Sequence, residues 1–149
     1  MAVIRNSTVI RCTPEAAFDY LSDLRNELEW NPRVESIEKT SDGPVGLGTT
    51  YTAKWKSSPH VVAETVAYDR PRGWAVHNGG PIEVTVTCRL APVAGGTELS
   101  AAFDGRPHGW FRLLFPFFLL QMRREERANM TYLREALERR APRPGAGGR

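Results

Sequence analysis

The chain has 149 residues, of which 41% are hydrophobic and 25% charged, so it holds enough apolar side chains for one globular core and is neither fibrous nor wholly disordered. Formal net charge is only +3, and the one dense basic cluster, Arg123, Arg124 and Arg127, is interleaved with Glu125 and Glu126. That is the pattern expected of a solvated helix with i,i+4 ion pairs rather than of a nucleic-acid footprint.

The first strand is expected from about Val3 to Cys12. Thr13-Pro14-Glu15 then opens a helix, with Thr13 as its cap and Pro14 at the tolerated first position. A second short helix, about Leu24 to Glu29, ends before Trp30-Asn31-Pro32, because a residue preceding proline avoids the helical region. After that the period changes. Strands are expected at Arg33–Lys39, Gly48–Lys56, His60–Tyr68, Trp74–Asn78, Ile82–Leu90 and Thr97–Asp104. The turns between them, Ser41-Asp42-Gly43-Pro44, Ser57-Ser58-Pro59, Gly79-Gly80-Pro81 and Ala94-Gly95-Gly96, are short enough to make neighbours antiparallel.

Ile82, Val84, Val86, Cys88 and Leu90 fall on one face of their strand, while Glu83, Thr85, Thr87 and Arg89 fall on the other. Leu99, Ala101 and Phe103 repeat this in the next strand. A sheet with one wet and one buried face needs a cover. The last element, about His108 to Arg140, supplies it: its apolar stripe contains Phe115, Leu119, Met122, Met130, Leu133 and Leu137. Residues 141–149, rich in Pro, Gly and Arg, are expected to be a disordered tail.

These landmarks carry a family resemblance. Ile10 through Phe18 resembles an opening "strand, small residue, Pro, helix" signature, and Asp23 through Trp30-Asn31-Pro32 a D-x-x-N…W-x-P stretch. Gly95-Gly96-Thr97-Glu98-Leu99 is similar to a G-G-T turn into the final strand, and Leu133 through Glu138 to the usual helix end. The chain from Val3 to Arg140 thus resembles the SRPBCC superfamily, the START-like and polyketide cyclase/dehydrase group. The resemblance implies an α+β helix-grip fold over residues 1–140: a curved seven-stranded antiparallel sheet wrapped around a long C-terminal helix, with two short helices after strand 1. It also implies an internal pocket for lipids, sterols, polyketides or other small hydrophobic molecules, and in a minority of members cyclase, aromatase or hydrolase activity. No catalytic set of the family carries over residue by residue.

Candidate ligand-binding residues follow from the inward faces. Trp55, Trp74, Phe103, Phe115, Phe118 and Met122 are apolar wall candidates, with Trp30 at one rim; solid core packing would explain the same positions. Two polar residues interrupt the helix stripe. At about 100° per residue, Glu126 lies about 20° from Phe115 and Asn129 about 40° on the other side. A carboxylate there either meets a ligand with a raised pKa or pairs with a strand cation. Asn78 shares inward parity with Trp74 and Val76, whereas His77 points outward. Glu64 is expected to pair with Lys54 or Lys56 across its hairpin. No His sits at a local spacing from a carboxylate that announces an acid–base pair, and Ser57-Ser58 lacks a nucleophile-elbow context.

Cys12 and Cys88 have no CxxC or His-rich spacing around them, so neither a disulfide framework nor a zinc site is expected. In the helix-grip order a strand separates the two, about 9–10 Å across two ladder steps, too far for a disulfide. The N-terminus lacks a basic region followed by an apolar run. The expectation is a reduced cytoplasmic protein without cofactor or metal. Trp110–Leu120 is too short and too interrupted, by Arg112 and Pro116, to span a membrane. Its excess apolarity fits a gate, a homodimer contact or a transient membrane contact, unless the sheet ends wrap it. Three function classes follow: a carrier or sensor of a small hydrophobic molecule, an enzyme in the same pocket, and an interaction module using the exposed helix.

Overall fold

The computed structural model describes residues 2–56 and 58–140, so the expected tail and the Ser57 position of one hairpin tip lie outside the described residues. Strand β1 (Ala2–Ile10) leads into helix α1 (Pro14–Leu21), whose Thr13 hydroxyl accepts from the Ala16 N–H at 3.2 Å. The next element, Leu24–Glu29, is a 3-10 helix capped by Asp23, which accepts from the Arg25 N–H at 3.1 Å. Six strands follow: β2 (Val34–Lys39), β3 (Thr50–Trp55), β4 (Val61–Asp69), β5 (Gly73–Asn78), β6 (Ile82–Val93) and β7 (Gly96–Pro107). Helix α2 (Phe111–Arg140) is the last element among the described residues.

The strands form a seven-stranded antiparallel sheet in the order β1-β7-β6-β5-β4-β3-β2, so β2 to β7 are sequential neighbours and β1 returns beside β7. Register shifts between Val34 and Ser36 and between Thr65 and Ala67 interrupt the pairing of β2 with β3 and of β4 with β5. This is the helix-grip arrangement.

Strand β6 extends three residues beyond its expected end, and β7 starts one residue earlier and ends three later than expected, because pairing continues to Val93↔Gly96 at one end and Ile82↔Pro107 at the other. The turn depends on two glycines. Gly95 has φ +86°, and a Cβ on Gly96 would overlap the backbone carbonyl of Ile10. Thr97 then donates its hydroxyl to the Cys12 carbonyl at 2.8 Å, tying β7 to the end of β1.

The core fills the concave face. Phe18 of α1 meets Tyr68 and Trp74 edge-on at 5.0 and 5.3 Å. Helix α2 docks through its second half: Asn129, Met130, Leu133, Ala136 and Leu137 are buried, and none of residues 111–128 is. Its end is fixed by Glu138, which accepts from the Arg11 N–H at 2.9 Å, and by Arg140, which pairs with Glu29 at 2.7 Å and lies 5.0 Å over the Tyr20 ring. The helix begins at Phe111 and runs through Pro116. Because that stretch is exposed, water can take the carbonyl that a proline leaves without a donor. Cys12 and Cys88 are buried free thiols. Lys54 pairs with Glu35 of β2 at 2.7 Å, not with Glu64, which lies opposite Thr50 and His77.

Candidate functional site

Because α2 seats only its second half, a cavity of about 610 Å³ remains between its first half and the sheet. Nine of the ten candidate residues line it: Trp30, Trp55, Trp74, Asn78, Phe103, Phe118, Met122, Glu126 and Asn129. Phe115 does not. Its ring stacks on Phe118 at 5.9 Å and lies over Gly105, where a Cβ would come within 3.2 Å of it. Phe115 therefore faces the sheet just outside the cavity, in a space that a missing side chain provides.

The walls are mainly apolar, with Val76, Val84, Val86 and Leu99 behind the aromatic rings. Polar groups converge where the 3-10 helix faces the middle of α2. Glu27, which sequence reasoning missed, is the centre of this group. Its Oε1 accepts from Asn31 Nδ2 at 2.6 Å and from the Trp55 indole N–H at 3.3 Å. Opposite it in the same lining stand Glu126 and Asn129, with Asn129 Nδ2 donating to Glu126 Oε1 at 3.5 Å. The signal for Glu27 was present in spacing: residues three apart eclipse in a 3-10 helix, which puts Leu24 and Glu27 on one face, with Trp30 as the cap that follows. All three line the cavity.

Among the described residues neither Glu27 nor Glu126 has an ion-pair partner. Burial therefore dominates their chemistry. It pushes the Glu126 carboxyl up to about 7, assisted by the neighbouring negative charge of Glu27 and opposed by the Asn129 hydrogen bond. Burial also raises Glu27, against the hydrogen bonds from Asn31 and Trp55. Cys88, in the same lining, is pushed up to about 12 by burial and by both carboxylates, so it stays a thiol. Near neutrality the site can hold a proton on Glu126 and offer it to, or take one from, a bound molecule.

Arg33 and Glu125 form an ion pair of 3.3 Å at the edge of this polar corner, joining the start of β2 to α2. The lining also includes Asn78 to Ile82 and, from the start of α2, Phe111, Leu114 and Phe117. The outer side of this half-helix is bare: Leu113 and Phe117 are 78% and 73% exposed.

Histidine–carboxylate contacts lie elsewhere. Glu83, on the outward face of β6, meets His108 at 2.6 Å and His77 at 3.5 Å, and His77 Nδ1 is 3.0 Å from the Thr85 hydroxyl. None of these four side chains lines the cavity. Among the described residues no group of His, Cys, Asp and Glu is placed to hold a metal ion, and no helix is long and apolar enough to cross a membrane.

The model of the family described as polyketide cyclase / dehydrase and lipid transport matches residues 1–138. A search of curated proteins returned no match. Among solved structures, the protein TTHA0849 from Thermus thermophilus superposes with a TM-score of 0.73 at 17% identity, covering 91% of this chain and 97% of that one. Ara h 8.0201 does so with a TM-score of 0.63 at 16% identity, covering 89% and 97%. The di-domain ARO/CYC BexL from the BE-7585A biosynthetic pathway gives 0.74 at 14% identity; 96% of this chain corresponds to 51% of that one. At these identities the likeness is one of fold.

Proposed function

The chain belongs to the polyketide cyclase / dehydrase and lipid transport family, and on that premise we propose that it binds a small, mainly hydrocarbon or aromatic molecule with one polar end in the cavity beneath α2. The observation that carries this reading is the division of the cavity: apolar walls through most of its 610 Å³, and one polar corner built from Glu27, Asn31, Glu126 and Asn129. That volume lies in the range of small-molecule sites. Ten buried methylene groups would contribute roughly 8 kcal/mol before association costs, and micromolar binding takes about 8 kcal/mol net, so a longer apolar body or the polar corner has to supply the rest. The polar corner then selects orientation. The two buried free thiols fit a reducing compartment, the cytoplasm in our reading.

The test is native mass spectrometry of the purified protein with organic extraction, followed by titration with a panel of fatty, aromatic and polyketide-like compounds. Retained or added apolar ligand at micromolar affinity, lost on replacing Val84 or Leu99 by a bulkier side chain, is expected. No binding across the panel overturns the reading.

One observation supports a second reading, a cyclase or dehydratase in the same cavity. Glu126 titrates near neutrality and faces the space where a substrate would sit, as a general acid or base must. The ARO/CYC neighbour lends the reaction class. Under this reading Glu126→Gln abolishes turnover of a cyclising substrate while keeping its affinity; equal turnover by the variant removes Glu126 from the chemistry.

A further inference from the structure

We propose that the outer face of the first half of α2 is a docking surface for an anionic membrane. Trp110, Leu113, Phe117 and Leu120 are 64%, 78%, 73% and 60% exposed. At about 100° per residue, Leu113, Phe117, Leu120, Arg124 and Arg127 fall within about 40° of one line along the helix. The line is apolar over its first two turns and basic over the next. Arg112 flanks the apolar part and Arg123 the basic part.

The charge on this face is uncompensated. No acidic residue occurs between Asp104 and Glu125. The acids next in sequence are engaged elsewhere: Glu125 with Arg33, and Glu126 in the cavity lining. Arg112, Arg123, Arg124 and Arg127 make no ion pair among the described residues. An apolar stripe bordered by free arginines matches a lipid surface, where side chains such as Leu and Phe enter the acyl boundary and guanidinium groups meet anionic headgroups.

A second copy of this chain matches it less well. A two-fold contact centred on Phe117 would run the helices antiparallel and bring Arg112 of one copy to Arg123 of the other, like charge on like. The surface also adjoins the cavity, since Leu114 and Phe117 both line it and reach solvent. Docking here would set the cavity mouth against the lipid surface. The inference goes beyond the ligand-binding reading and does not depend on what the cavity holds.

Flotation with lipid vesicles tests it, using the full chain without added ligand. The protein is expected to float with phosphatidylcholine vesicles carrying roughly one third phosphatidylglycerol, and not with phosphatidylcholine alone. Raising salt from about 0.05 to 0.5 M should release it. Combined Arg124→Gln and Arg127→Gln should weaken binding about 25-fold, at about fivefold per arginine. Combined Leu113→Ser, Phe117→Ser and Leu120→Ser should weaken it at least tenfold while the melting curve is kept, since all three side chains are exposed. Failure to float at low salt, or equal flotation with both vesicle types, overturns the proposal. So does a dimer in sedimentation that the triple serine variant converts to monomer.

Discussion

Arg33 Nε lies 3.3 Å from Glu125 Oε1, and this contact is an ion pair between the sheet side and the helix side of the cavity edge. Both side chains also line the cavity. The pair sits beside the polar corner, where a ligand's polar end would pass.

Arg33→Ala should therefore speed release of a bound fluorescent probe such as anilinonaphthalene sulfonate several-fold. Both side chains are partly exposed, so the cost in stability should stay within about 1 kcal/mol. Stopped-flow displacement and urea unfolding measure the two effects. An unchanged release rate would mean the pair does not retain a bound molecule.

Glu126 should make stability fall as pH rises. Its folded-state pKa, about 7, lies above the ordinary value of 4.5, so between these values the folded state binds more protons than the unfolded one. Its contribution is complete below pH 4.5 and is lost through pH 7. At 1.36 kcal/mol per pH unit the loss is on the order of 3 kcal/mol, an upper bound because the cavity admits solvent. Glu126→Gln removes this titration, so the variant should gain on the parent between pH 5 and pH 8 in urea unfolding series. Parallel pH profiles for the two proteins would refute the assignment.

The two thiols should be silent in the folded protein. Cys12 is pushed up to about 11 and Cys88 to about 12, in both cases first by burial. Ellman's reagent at pH 8 is expected to find no fast-reacting thiol in native protein and two in urea. Fast labelling of either under native conditions would show that its burial is wrong.

Gly96→Ala should destabilise by about 1–3 kcal/mol or more, because the added methyl meets the backbone of Ile10 and not a side chain that can swing away. Ala94→Gly in the same exposed turn serves as the control, with an effect of a few tenths to about 1 kcal/mol. A near-neutral Gly96→Ala would mean that β1 and β7 do not approach this closely.

Much of the fold is legible in local pattern. The alternation Ile82-Val84-Val86-Cys88-Leu90 predicts the inward face of β6, and Thr13-Pro14 predicts the cap of α1. Both are decided by neighbours in sequence, through the two-residue period of a strand and the open N–H groups of a helix start. The full reach of β6 and β7 is not, because their ends pair with each other across the turn. Phe115 shows the limit of a helical wheel. It shares the inward stripe, yet it lies over Gly105, since the wheel records direction around the axis and not which strand residue lacks a side chain.

The sequence by itself determined a sheet with one apolar face, a long helix to cover it, and a cover whose stripe carries Glu126 and Asn129. Those are consequences of period and composition along one element at a time. Only the tertiary structure decided that the cover seats its second half alone, which leaves the first half spanning a cavity. Only it brought Glu27 from the 3-10 helix into the same cavity lining as Glu126. The pKa of Glu126 depends on that meeting, because desolvation and the field of a second carboxylate are properties of the space around a group and not of its place in the chain.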